Sequence, residues 1–136
     1  MGNSPIKKIS FEDVSFVQKN NGIIISTLPE HKQNCLISGT VDIKDEEKVI
    51  NDMMNTDMKQ SVIIYGEHAN DDSVFKKYKQ LISLGFYNVF VYSGGLFEWL
   101  LLQDIYGIEN FKTTTKELDI YKYRPPRILN VHTLCN

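Results

Sequence analysis

Short, fully apolar runs alternate along this chain with stretches whose apolar positions recur every three or four residues. Three runs stand out: Ile23-Ile24-Ile25, Ser61–Tyr65 (SVIIY) and Asn88–Tyr92 (NVFVY). Each is rich in β-branched and aromatic residues and is bounded by turn residues, which predicts strands buried on both faces. Cys35-Leu36-Ile37, closed by Ser38-Gly39-Thr40, is a further short apolar run. Between the runs, Val74, Phe75, Tyr78, Leu81 and Ile82 fall on one helical face, with Asp71 or Asp72 as the cap and Gly85 as the stop. Asp42–Asn55 predicts a second helix, with Ile43, Val49, Ile50, Met53 and Met54 to one side. Lys7–Asn20 predicts an N-terminal helix capped by Ser10, with Asp13 three residues on. Leu96–Gln103 predicts an apolar helix around Trp99, after a Ser93-Gly94-Gly95 turn. Asp104–Lys116 reads as irregular, and Glu117–Tyr123 as a short helical piece stopped by Pro125-Pro126. Strands alternating with helices predict an α/β fold: a mostly parallel sheet of about four or five strands with helices on both faces.

Composition narrows the picture. At 136 residues, 42% apolar and 24% charged, the chain suits one globular domain with a real core. A formal net charge of -2 offers no basic field for nucleic acid. Cys35 and Cys135 are far apart and outside any CxxC pair, which argues against zinc or a disulfide framework. The opening MGNSPIKK has no apolar run of signal length, and Ile6 breaks the myristoylation pattern after Gly2. The longest apolar run, Trp99–Leu102, is too short for a bilayer. The expectation is a soluble intracellular, cytoplasmic protein without membrane, nucleic-acid or cofactor partners.

Candidate chemistry gathers in the loop Gly66-Glu67-His68-Ala69-Asn70-Asp71-Asp72, at the carboxyl end of the second strand run. Open α/β sheets place ligand sites there. Carboxylates and the imidazole of His68 are competent metal ligands and acid–base groups. Against that, Glu67, His68, Asp71 and Asp72 match no known ligand spacing, and Asp at a helix start has an ordinary capping role. The expectation is therefore no metal and no catalytic group, but a solvated loop or recognition surface. Gly94-Gly95 without a G-x-G-x-x-G pattern reads as turn geometry rather than a phosphate cradle. Trp99, Phe97 and Leu100–Leu102 read as a core helix before a partner surface, and Lys76, Lys77 and Lys79 as a solvated face. Tyr121, Tyr123, Pro125 and Pro126 fit either an extended docking peptide or a tail strapped onto the domain.

Several of these features together resemble a family. The strand, loop and helix followed by Leu84-Gly85-Phe86, Asn88-Val89, a strand, Gly94-Gly95 and Trp99 resemble the second half of a rhodanese domain, with its GF-x-NV and GG-x-x-x-W spacings. In the first half, Ile23-Ile24-Ile25 resembles the opening strand. Leu36-Ile37-Ser38-Gly39-Thr40 resembles the family's H-I-P-G-A segment, with Cys35 where His is usual. The resemblance covers residues 7–105 and implies a three-layer α/β/α rhodanese-like domain, with Gly85, Phe86, Gly94, Gly95 and Trp99 as its structural motif. Residues 106–136 then form a C-terminal extension, packed on the domain or used for partner contact through Ile128, Leu129, Val131 and Leu134.

The resemblance also implies a persulfide-carrying Cys directly after the strand, where this chain has Gly66, and a basic residue in a loop that here carries Glu67, Asp71 and Asp72. The family's D-x-R after its first strand is replaced by Ser26-Thr27-Leu28-Pro29. The related phosphatases run from Cys to Arg over seven residues, and here those ends are Gly66 and Asp72. The expected function is thus a non-catalytic domain that binds a protein partner through the degenerate loop and the extension. The alternatives are a sulfurtransferase with a relocated thiol at Cys35 or Cys135, a hydrolase built on Glu67, His68 and Asp71, and a subunit of a larger assembly. Cys35 beside Leu36 and Ile37 has the ordinary reading of a small buried hydrophobe.

Overall fold

The computed structural model describes residues 5–129. Strand β1 (Lys8–Ile9) leads into helix α1 (Phe11–Lys19), then β2 (Ile23–Ser26), α2 (Glu46–Thr56), β3 (Val62–Tyr65), α3 (Asp72–Ser83), β4 (Val89–Tyr92) and α4 (Gly95–Tyr106). Short 3-10 turns occupy Glu30–Lys32 and Ile120–Tyr123. The four strands lie in the order β1-β4-β3-β2, and each neighbouring pair is parallel. Ile63 sits opposite Ile24 on one side and Phe90 on the other.

The continuous apolar run of β3 divides between two cores because successive side chains point to opposite faces. Ile63 and Tyr65 join Val14, Ile24, Leu28, Leu96, Trp99 and Leu100 on the face covered by α1 and α4. Val62 and Ile64 join Ile25, Ile50, Met53, Val74, Leu81 and Phe86 on the face covered by α2 and α3. All four β3 residues are 0% exposed, and the architecture is a three-layer α/β/α sandwich. Among the described residues, no helix is long and apolar enough to cross a membrane.

Three local expectations are corrected. Lys8 and Ile9 are not helical but pair with Val91 and Tyr92 as an edge strand. Ser10 is extended (φ -96, ψ 173), and the Asp13 carboxylate accepts its N–H at 3.1 Å, so the helix begins only at Phe11. The free edge of β4 outweighs helix propensity in the two residues before the cap. Helix α2 starts at Glu46 rather than Asp42, because Asp42 Oδ1 accepts the Lys44 N–H at 2.9 Å and closes a turn instead. The Cys35–Ile37 run forms no sheet strand; Ile37 makes an isolated antiparallel bridge to Thr113. Helix α4 runs on past Gln103 to Tyr106 and stops at Gly107, whose φ is 100.

The chain after α4 returns to the core. Phe111 is buried, with its ring 5.1 Å from Trp99 and 5.4 Å from Phe11. The Lys112 carbonyl accepts from both Trp99 Nε1–H (3.1 Å) and the Ser38 N–H (3.0 Å). The Thr114 N–H donates to the Leu36 carbonyl at 2.8 Å, and Thr114 Oγ1 accepts the Leu36 N–H at 3.0 Å. Tyr123 is buried in the same core, whereas Ile128 and Leu129 are 75% and 79% exposed. Val131, Leu134 and Cys135 lie outside the described residues.

Candidate functional site

The loop after β3 is organised around one inward carboxylate. Gly66 follows Tyr65 directly and is buried. Asp71 caps α3 and turns back beneath the loop: Oδ2 accepts the Glu67 N–H at 2.9 Å, and Oδ1 accepts the Ser73 N–H at 3.0 Å and its hydroxyl at 2.6 Å. Burial pushes the Asp71 carboxyl up. The Ser73 hydroxyl and the N–H groups of Glu67 and Ser73 outweigh it and hold the group below the usual carboxylate range. A Cβ at position 66 would fall within contact distance of Asp71 Oδ2 and 2.7 Å from Val74 Cγ2. The space beside Gly66 is therefore occupied by the chain's own carboxylate and a core methyl group.

Helix α4 holds the loop from the other side. The Leu96 and Phe97 N–H groups, orphans of the first helical turn, donate to the Gly66 and Glu67 carbonyls at 2.9 and 2.8 Å. Gly95 makes that approach possible. Its φ is +69, and a Cβ there would sit 2.8 Å from both the Gly66 carbonyl oxygen and the His68 nitrogen. Glu98, one turn in, accepts the buried Tyr92 hydroxyl. Burial, then the neighbouring carboxylate, push that phenol far up, so it stays protonated.

The remaining loop residues do not converge. Glu67 turns outward to Lys32, with Nζ at 2.7 Å across a half-buried ion pair. His68 Nδ1 accepts the Asn70 N–H at 3.1 Å, which in a neutral ring leaves the proton on Nε2. Ala69 and Asn70 form an exposed tip, and Asp72 is exposed as the first residue of α3. Among the described residues, no three His, Cys, Asp or Glu side chains come close enough to hold a metal. Cys35 is 1% exposed and donates to the Thr115 carbonyl at 3.4 Å, on the α1/α4 face and under the returning chain.

The family-motif positions have structural tasks. Gly85 (φ +106) ends α3, and Phe86 fills the core beneath α3. A Cβ at Gly94 would run into the Glu98 carboxylate. Trp99 is fully buried, edge-on to Tyr92 at 6.1 Å. Three contributors escaped sequence reasoning. Ser73 left a signal in the Asp71-x-Ser73 spacing of an Asx turn. Lys32 and Glu98 left none, because their partners are set by tertiary packing.

Three comparisons bear on this geometry. The rhodanese-like domain family matches residues 18–102, more than half of the chain. Among solved structures, the BH2092 protein from Bacillus halodurans superposes with a TM-score of 0.59 at 17% identity, covering 94% of this chain and 89% of its own. The Alr3790 protein from Anabaena gives 0.55 at 18% identity over 84% and 86%, and a protein from Lactobacillus plantarum 0.56 at 18% over 71% and 83%. At such identities these structures speak for the fold. No curated protein matches the sequence. The parallel sheet, the loop closing against a glycine-led helix, and the family match together place this chain in the rhodanese-like domain family.

Proposed function

We propose that this domain does not transfer sulfur and instead works by binding a protein partner. The observation that carries the reading is Gly66. The resemblance puts the family's nucleophile at this position, and here the space a side chain would take is filled by Asp71 and Val74. Two further features support it. A persulfide is an anion best held by free N–H groups and positive charge. In this loop the Glu67 N–H is already given to Asp71, and the nearby cation, Lys32, is paired with Glu67. Cys35, a free thiol, is buried in the core.

The test is intact-mass measurement after incubation with thiosulfate and with a small-molecule persulfide donor, on the wild type and on Cys35→Ala. The expected result is no added sulfur in either protein. Gain of one sulfur in the wild type would overturn the reading, and its loss in Cys35→Ala would place the transfer on that thiol.

A further inference from the structure

The chain that returns after α4 closes over Cys35. The Thr115 carbonyl accepts the Cys35 S–H at 3.4 Å. Beside it, Thr114 bonds both backbone groups of Leu36, and Thr115 Oγ1 donates to the Asn34 carbonyl at 3.0 Å. Cys35 is 1% exposed beneath these bonds, yet Thr114, Thr115 and Lys116 themselves face water. Further along, the chain is held by Tyr123, which is buried in the same core as Cys35. The Tyr123 hydroxyl is buried without a hydrogen-bond partner. Lys122 Nζ lies 5.3 Å from the Tyr123 ring centre but is paired with Glu117 at 2.6 Å. Burial pushes the Tyr123 phenol up, the Lys122 cation opposes, and Cys35 adds to the rise, so the unpaired hydroxyl and the thiol lie within each other's field.

We propose that residues 113–123 form a displaceable strap over Cys35, and that a small disulfide which captures the thiol while the strap is off keeps it off. Segments whose backbone bonds lie at the surface open locally without global unfolding. All four strands and the core between the sheet and helices α2 and α3 lie outside the strap, so its release leaves them paired and packed. The far anchor is a weak one: a buried hydroxyl without a partner shifts the balance toward opening by roughly five- to a hundredfold. Capture is an exchange. The Cys35 thiolate attacks one sulfur of the disulfide, a new S–S bond forms as the old one breaks, and the other half leaves as a thiol with the proton from Cys35. A close-packed site has no room for the added group, so the strap cannot close again. This adds a redox-sensitive switch to the protein-binding reading without depending on it.

The test uses the full chain with Cys135→Ser, so that Cys35 is the thiol counted. The probe is dithiobis(nitrobenzoate), an aromatic disulfide whose released thiolate is coloured, and the reference is the same chain unfolded in urea. The expected reaction is slower than in the unfolded chain by roughly a hundredfold or more, yet nearly flat in dilute urea, because a local opening exposes little surface. Thr114→Val takes the acceptor from the Leu36 N–H and should speed the reaction roughly fivefold or more. Tyr123→Phe removes the unpaired hydroxyl and should slow it by a similar factor. Circular dichroism and unfolding midpoints establish that both variants fold. Once Cys35 is modified, trypsin should cut after Lys116 roughly tenfold faster than in the unmodified chain. A urea slope equal to that of global unfolding, a rate unchanged by Thr114→Val, a faster reaction in Tyr123→Phe, or no gain in cleavage after modification each overturns the inference. Sulfur loading from thiosulfate in the mass experiment would instead remove the non-catalytic reading and leave these rate changes in place, so the two failures are separable.

Discussion

Returning a cysteine to position 66 tests how the loop is packed. A Cβ there lies 2.7 Å from Val74 Cγ2 and closer still to Asp71 Oδ2, whereas carbon atoms in good contact stand about 3.5–4.0 Å apart. Something must move by roughly 1 Å, and over-packing of this kind costs about 1–3 kcal/mol. If Asp71 gives way, it also loosens its bonds to the Glu67 and Ser73 N–H groups, a cap worth about 1 kcal/mol. Gly66→Cys should therefore destabilise the domain by about 2–3 kcal/mol in urea unfolding. Gly66→Ala should show most of the same loss, because the first carbon makes the clash. Asp71→Ala removes part of the obstacle, so Gly66→Cys/Asp71→Ala should lose less than the two single changes added together, by about 1 kcal/mol. The new thiol would face a carboxylate, which disfavours the thiolate, so Gly66→Cys should still gain no sulfur from thiosulfate. A Gly66→Ala variant within about 0.5 kcal/mol of the wild type, or strict additivity in the cycle, would refute the packing account.

Other outcomes follow from the same contacts. Asp71 has its carboxyl held below the usual range in the folded state. Its stabilisation is complete above the unfolded value of about 3.9 and lost as pH falls through the folded value. The gap in unfolding free energy between wild type and Asp71→Asn should thus be widest near neutral pH and close in acid. Phe111→Ala should cost about 3–5 kcal/mol and shift Trp99 fluorescence to the red, since the Phe111 ring covers one edge of that indole. Tyr65→Phe leaves the buried Ile37 N–H without its 3.1 Å acceptor and Thr40 Oγ1 without its 2.8 Å partner, for a loss of about 1–3 kcal/mol by urea titration. Lys32→Ala breaks a partly solvated pair with Glu67 and should cost no more than about 1 kcal/mol.

Strands β2, β3 and β4 and helix α3 were legible because their signals are local. A β-branched run between turn residues has few alternatives, and Val74, Phe75, Tyr78, Leu81 and Ile82 mark one helical face. Lys8–Ile9 was misread because its pairing with Val91–Tyr92 is decided more than eighty residues away, beyond any window of periodicity. The pairing of the Cys35–Ile37 run left no signal for a related reason: its partners, Thr113 and Thr114, lie in the returning chain. In the loop, residue types and the cap were legible, but side-chain direction was not. Nothing in Glu67-x-x-x-Asp71 indicates that one carboxylate turns outward to Lys32 and the other inward to the Glu67 N–H.

That difference in direction changes what the loop offers a partner. Read as sequence, Glu67, Asp71 and Asp72 make an acidic rim that would draw basic ligands. In the fold, Glu67 is neutralised by Lys32 and Asp71 is spent on N–H groups and the Ser73 hydroxyl, which leaves Asp72 as the acid with its charge facing water. One solvated carboxylate is a weak basis for recognition. The backbone is equally committed, since α4 takes the Gly66 and Glu67 carbonyls and Asp71 takes the Glu67 N–H. What the loop still presents is shape at Ala69 and Asn70. For a partner bound by this domain, Asp72→Asn should therefore leave affinity within about twofold, and a loss of about tenfold or more would return the loop to the centre of the interface.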